Sequence, residues 1–255
     1  MNNFEPTLTK TDFQLILKVF TRRIGLLFMF VFGLYFDGKG FAKIVPDNQF
    51  YLNILMITAF FILYYRSTPR TKKLMIYGVI IGFVGEHLFS RVLGMYTYRL
   101  ENVPLYVPFG HAAVYARVFV FSKASIIQKH HDKIIKTLSI LIAIYATAFL
   151  FFLGDIFGFV MTVAIFFIIW KRPKDRMFFL TMYTVVAVLE IGGTSYECWY
   201  WPDTAFNVIP FLKSYNPPSG ISLFYYTLDI GCFVFYKMFN KQNWQRYTAI
   251  QKIRL

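Results

Sequence analysis

Charge is scarce in this chain: 16% of its 255 residues are Asp, Glu, Lys or Arg, against 57% hydrophobic and 21% aromatic. A water-soluble domain carries about a quarter charged residues because its surface must be wetted, so a soluble globular protein is excluded. Disorder is excluded by the same composition, since 31 Phe and 18 Tyr supply more apolar surface than a solvated chain tolerates. Cysteine is almost absent. Cys198 and Cys232 can pair only if their helices touch at matching depth, and buried unpaired thiols are the expectation. No CxxC, HExxH, GxGxxG or Walker-type run occurs, which removes the usual soluble cofactor motifs, and no cofactor is expected. A cleavable leader is also missing: Met1 to Asp12 is polar, and the first apolar run has no small-residue cleavage site. That run is expected to act as its own insertion signal.

What the chain does have is apolar length. Crossing about 30 Å of hydrocarbon takes roughly 20 residues. Eight segments approach that length: Ile16 to Phe36, Phe50 to Tyr65, Leu74 to Tyr96, Val103 to Ser122, Ile134 to Leu153, Asp155 to Trp170, Met177 to Trp199 and Gly220 to Phe239. The first is the weakest, with Lys18, Arg22 and Arg23 ahead of its clean apolar core. The fifth and sixth meet at Gly154-Asp155, which leaves room only for a tight hairpin. The expected fold is an all-α polytopic membrane bundle of about eight transmembrane helices forming a single transmembrane domain.

The net charge of +14 sorts by position. With the N-terminus inside, 21 of the 27 Lys and Arg fall on inner segments; Lys39, Lys43, Arg99 and Lys213 are outer, and Arg91 and Arg117 lie within spans. The positive-inside rule then places both termini in the cytoplasm. The basic charge marks topology, and no nucleic-acid partner is expected. A bacterial cytoplasmic membrane is the expected location.

Comparing the halves exposes an imperfect repeat, about residues 13–122 and 134–239, followed by a basic tail at 240–255. In the first half Glu86 is followed by Gly94-Met95-Tyr96-Thr97-Tyr98 and then Val103-Pro104-Leu105-Tyr106-Val107-Pro108. In the second, Glu190 is followed by Thr194, Trp199-Tyr200-Trp201 and Asn216-Pro217-Pro218-Ser219-Gly220. Each half offers an intramembrane Glu, an aromatic-x-aromatic pair and a proline-marked start to the next helix. Four spans per half make the repeats parallel in topology.

Glu86 lies 13 residues beyond Lys73 and Glu190 lies 14 beyond Arg176, so both sit about 20 Å above the inner boundary. His111 comes out at about 18 Å and Asp229 at about 12 Å by the same count. A charge near the bilayer centre costs several kcal/mol, which makes Glu86, Glu190, His111 and Asp229 the candidate catalytic residues. The bland alternative pairs Glu86 with Arg91 or His87, and Glu190 with a cation across the bundle. Polar stripes formed by Glu190, Thr194 and Glu197, and by Ser222, Tyr225, Tyr226, Asp229 and Tyr236, would line a cavity. Arg91, Tyr96, Tyr98, Thr194, Trp199, Trp201, Asn216 and Tyr225 are the candidate binding residues, although aromatic pairs near a membrane interface need no ligand. Arg117 and the His130-His131 pair read as structural and as a solvated loop. Glu86, His87, His111 and Glu190 lack a compact metal motif, and no metal site is expected.

At Glu86, Gly94-x-Tyr96-x-Tyr98 and Val103-Pro104-Leu105 with Pro108, the sequence resembles the integral-membrane carotenoid-biosynthesis family that includes carotenoid hydratases, over about residues 83–110. That family's pattern tends to place Trp soon after the second proline, where this chain has Phe109-Gly110-His111. The resemblance implies a multi-pass helical enzyme acting on long polyene isoprenoids. The leading expectation is an enzyme for an isoprenoid, carotenoid or related membrane lipid, working by acid catalysis (hydration, isomerisation or cyclisation). The alternatives are a small-molecule or proton-coupled transporter and a non-catalytic membrane subunit, with homo-oligomer formation left open. A retinal protein is disfavoured, because no Lys lies in the middle of a span.

Overall fold

The computed structural model describes residues 8–242 and 245, so the end of the basic tail, including Arg246, Lys252 and Arg254, lies outside the described residues. The chain is mostly helical. Its helices are α1 (Lys10–Phe20), α2 (Leu26–Asp37), α3 (Lys39–Ala42), α4 (Asn48–Tyr65), α5 (Pro69–Glu86), α6 (Tyr106–Ser122), α7 (Ser125–Lys129), α8 (His131–Leu153), α9 (Ile156–Lys171), α10 (Arg176–Ser195) and α11 (Ser222–Phe239). A π-helical turn (Thr21–Gly25) joins α1 to α2, and another (His87–Val92) extends α5. Four short strands, β1 (Thr97–Tyr98), β2 (Trp199–Tyr200), β3 (Thr204–Ala205) and β4 (Ile209–Lys213), lie in the connections.

Four helical stretches are long and apolar enough to cross a bilayer: Asn48–Tyr65, Pro69–Val92, His131–Leu153 and Pro173–Ser195. The chain is accordingly a membrane protein. Their burial differs sharply: 72% of the last window is buried inside the protein but only 11% of the His131–Leu153 window. Thus α10 forms the centre, while α8 is a peripheral helix whose Phe151 and Phe152 face outward. Close packing beside α10 relies on small residues. A Cβ at Gly78 of α5 would sit 3.1 Å from the Ala112 Cβ of α6, so glycine lets these two helices approach along their length.

The helices end earlier than the apolar runs do. The third run continues to Tyr96, but helical structure stops at Val92 and Gly94 turns the chain with φ +59°. The seventh continues to Trp199, but α10 stops at Ser195 and Glu197 takes φ +56°. The helix of the fourth run, α6, begins at Tyr106, after Pro104, and not at Val103. Tyr98 and Trp199 therefore leave their helices and pair across β1 and β2, which run antiparallel with Tyr98 opposite Trp199 and Thr97 opposite Tyr200. Hydropathy counts these aromatics as span ends; the left-handed residues divert them into a ribbon.

Polar residues anchor the helix ends. Asp37, closing α2, accepts from Arg99 at 3.0 Å and from the Tyr106 hydroxyl at 2.8 Å. Arg117 donates to the Arg22 and Arg23 carbonyls of the first π turn, in keeping with a structural role. Asp155 caps α9 through Gly158 N–H and also accepts from the Tyr215 and Ser219 amides, so one buried carboxylate ties the α8–α9 hairpin to the segment before α11. Both cysteines are buried and unpaired.

The His130-His131 segment departs from the solvated-loop expectation. His130 is buried, with its ring 3.4 Å from Asp12, because α1 folds back over α7. Asp12 closes a capping box with Thr9 and takes an ion pair from Lys129 at 2.7 Å. The Lys129 ammonium and the Thr9 hydroxyl hold the Asp12 carboxyl well below the usual carboxylate range. A carboxyl depressed on folding stabilises above its ordinary range and loses that contribution as pH falls through its folded value. Asp12→Asn should therefore speed amide hydrogen exchange across α1 at neutral pH, leave α10 protected, and abolish any acid-dependent loosening of α1 seen in the wild type.

Candidate functional site

The ribbon turns four aromatic side chains toward two carboxyl groups. Residues two apart on a strand share a face, so Tyr96 and Tyr98 point together, as do Trp199 and Trp201. Both tyrosine hydroxyls donate to Oε2 of Glu86, Tyr98 at 2.6 Å. Both indole N–H groups donate to Oε2 of Glu190, Trp199 at 2.8 Å and Trp201 at 3.1 Å. The Tyr225 hydroxyl from α11 donates to Oε1 of Glu190 at 3.0 Å. The rings also pack across the ribbon, with Tyr96 and Trp201 centroids 4.5 Å apart. Each Glu, near the end of a long helix, thus meets the aromatic-x-aromatic pair that follows it in sequence.

Glu86 and Glu190 are each 3% exposed and line one small cavity of about 30 Å³ with these aromatics, Phe89, Val107, Ile221, Phe224 and Leu228. Among the described residues neither carboxyl has a salt bridge. The pairing of Glu86 with Arg91 or His87 is not what forms: Arg91 is exposed and donates to the Glu101 carbonyl, and His87 bonds the Phe83 carbonyl at 2.8 Å. Neutral donors satisfy both acids in place of cations.

The two acids are not equivalent. Indole N–H groups can only donate, so Glu190 Oε2 faces two donors and has no place for a proton between itself and them. Tyrosine hydroxyls donate or accept, and both converge on a single oxygen of Glu86. Its Oε1 takes no hydrogen bond among the described residues. Glu190 Oε1 meets the Tyr225 hydroxyl, so Glu86 Oε1 is the one carboxyl oxygen of the pair with no hydrogen-bond partner among the described residues.

The other sequence candidates distribute around this centre. His111 and Asp229 lie 3.5 Å apart and fully buried, an ion-pair contact longer than a good hydrogen bond, and they do not line the carboxyl cavity. The His111 ring does pack against Tyr225, with centroids 5.4 Å apart. Thr194 turns its hydroxyl back to the Glu190 carbonyl at 2.8 Å. Asn216 accepts from the Trp201 backbone at 3.0 Å, positioning the ribbon from behind. Glu197 leaves the expected stripe for an exposed pair with Lys39. Sequence reasoning assigned no role to Asp37 or to the Asp155 side chain; Asp155, following Gly154 between two apolar runs, is a legible N-cap signal, whereas the Asp37 partners Arg99 and Tyr106 are distant in sequence.

Comparison with family models, with curated proteins and with solved structures finds no match for this chain.

Gly193 leaves the space that the Trp199 indole occupies, since a Cβ there would collide with the ring. Gly193→Ala should expel that indole from Glu190. In ¹⁵N-indole spectra of the four tryptophans, Glu190→Gln and Gly193→Ala should each move the Trp199 signal, with Glu190→Gln also moving Trp201. Trp199→Phe removes one donor from a buried acid and should cost about 1–3 kcal/mol in thermal unfolding.

Proposed function

We propose that this chain is an intramembrane enzyme that protonates a carbon–carbon double bond of an isoprenoid, carotenoid or related lipid. The observation that carries this reading is the pair of carboxyls on one aromatic-lined cavity, neither with a salt bridge among the described residues. Protonating an alkene to a tertiary carbocation needs a carboxylic acid held away from water. Glu86 is the donor in this scheme: its Oε1 proton passes to the alkene carbon, leaving a carbocation and the Glu86 carboxylate, which the Tyr96 and Tyr98 hydroxyls stabilise. In this scheme Glu190 is the ionised member of the pair; it lies on the same cavity and balances the positive charge, and the surrounding ring faces attract the carbocation as they attract any cation. Addition of water with return of a proton to Glu86 completes a hydration; loss of a neighbouring C–H proton to Glu86 completes an isomerisation. The cavity volume accommodates a water. The resemblance at Glu86, Gly94-x-Tyr96-x-Tyr98, Pro104 and Pro108 supports an enzyme.

The proposed setting is eight spans with both termini cytoplasmic, built from two parallel four-helix repeats. Supporting it are the eight apolar runs, the placement of 21 of 27 cations on inner segments, and the matching Glu-to-aromatic arrangement in each half. A proton-coupled carrier would use the same buried carboxyls, and a non-catalytic subunit would tolerate their loss.

Expression in a lycopene-producing host, read by pigment chromatography, tests the enzyme reading. Wild type should convert the pigment, and Glu86→Gln should lose conversion by at least about 100-fold while remaining folded by size-exclusion chromatography. Unchanged pigment in the wild type removes the carotenoid version. Flux in proteoliposomes without any conversion replaces the enzyme by a carrier.

A further inference from the structure

A second, much larger cavity of about 390 Å³ lies against the far side of the wall formed by Val107, Trp199 and Tyr225, the three residues that line both it and the carboxyl cavity. Its other walls come from α2, α4, α6 and α10. The mouth is formed by Met29, Phe32 and Leu55, all more than half exposed. Leu55 lies on α4, which is long and apolar enough to cross the bilayer, so the opening faces hydrocarbon and not water. The depth of the groove is reached past Leu34, Met56 and Val114, each at most 8% exposed.

The polar side-chain atoms along it are either committed to partners or sealed from the groove. The Tyr106 hydroxyl is held by Asp37, and the Trp199 indole and Tyr225 hydroxyl are held by Glu190. The ring nitrogens of His111 have no hydrogen-bond partner among the described residues, but both are buried and open no surface to the groove, with Nε2 3.5 Å from Asp229. A headgroup, hydroxyl or carboxylate drawn into the groove would lose its water without gaining a partner, at a cost of about 1–3 kcal/mol or more. A hydrocarbon chain loses nothing.

We propose that this groove is a lateral binding channel for the hydrocarbon end of a lipid chain, which slides in from the bilayer between α2 and α4 until its terminus rests on the Val107, Trp199 and Tyr225 wall behind which the two acids lie. The inference rests on the proposed chemistry for its purpose but not for its existence. It restricts the substrate to chains with at least one end free of polar groups, the reacting carbons lying at that end and reaching Glu86 as the Trp199 and Tyr225 side chains turn aside, because the carboxyl cavity itself is only about 30 Å³. It also gives Trp199 and Tyr225 a second role: the side chains that hold Glu190 are the ones the arriving chain touches. A further apolar cavity of about 190 Å³, between α2 and the α8 side, includes neither carboxyl nor any of these wall residues and serves as the internal control.

The test uses full-length protein in lipid nanodiscs and two photoreactive probes, a hexadecane with a diazirine near one end and a hexadecanoic acid with the diazirine next to its carboxylate. Labelled residues are mapped by mass spectrometry. The alkane should label Leu34, Met56 and Val114, which line the depth of the groove, and the carboxylate-end probe should not. Gly33→Leu and Gly110→Leu, which fill the groove from opposite walls where an added Cβ meets only ordinary contacts, should each cut deep labelling at least about threefold. Labelling of Phe151 and Phe152 on the outer face of α8 should stay unchanged in both, which also reports that they fold. Glu86→Gln should leave deep labelling intact. Absence of alkane label at the deep residues, equal labelling by the carboxylate-end probe, or indifference to both groove-filling variants would overturn the channel. Deep labelling in a protein that converts no lipid would overturn the acid chemistry and leave the channel standing.

Discussion

Two buried carboxyl groups facing one cavity, with no ion-pairing cation among the described residues, constrain everything around them. Removing an ion from water costs several kcal/mol unless hydrogen bonds or an opposite charge replace the solvent. Here the replacement comes from neutral aromatic donors, four on one two-stranded ribbon and a fifth, Tyr225, on α11. That solution dictates where α5 and α10 must end, because their chains have to leave the helix in time to present the tyrosines and indoles back toward the acids. The left-handed turns at Gly94 and Glu197 are the backbone expression of that demand.

The remaining polar contacts read as support for the ribbon. Arg99 continues the pairing by donating its amide to the Cys198 carbonyl at 2.9 Å while its guanidinium reaches Asp37 at the end of α2. Cys198 itself donates to the Leu34 carbonyl at 3.1 Å, so its thiol serves packing and not redox chemistry. Asn216 holds Trp201 from the other side, and Asp155 fixes the segment that contains Asn216. The end of α2, the ribbon and the segment before α11 are thereby locked to a common reference, which keeps the donors at hydrogen-bonding distance from Glu86 and Glu190.

Much of this was legible in the residues. Apolar run length identifies the helices, and counting depth from Lys73 and Arg176 puts Glu86 and Glu190 at one level, where the structure places them on one cavity. The aromatic-x-aromatic pairs were visible as a repeated pattern, but their hydrogen-bonded partnership was not, since a hydropathy reading cannot tell a helix end from a strand whose side chains are equally apolar. Arg91 illustrates the opposite error. Its spacing from Glu86 suggested proximity, yet the π turn rotates it outward to a backbone carbonyl. His130 was misjudged because its burial depends on the return of α1 across α7, a long-range contact with no local signature. The groove beside the acids was invisible for the same reason: four separate helices contribute to it.

The central claim is that the two acids share one site with the proton on Glu86 and the charge on Glu190. Infrared spectroscopy of the purified protein with ¹³C-labelled glutamate reads it most directly, comparing wild type, Glu86→Gln and Glu190→Gln at neutral pH. The account predicts a protonated-carboxyl band in the wild type that disappears in Glu86→Gln and persists, shifted by the loss of a neighbouring charge, in Glu190→Gln. A band that survives Glu86→Gln but vanishes in Glu190→Gln, or one that ignores the loss of the other acid, would contradict it.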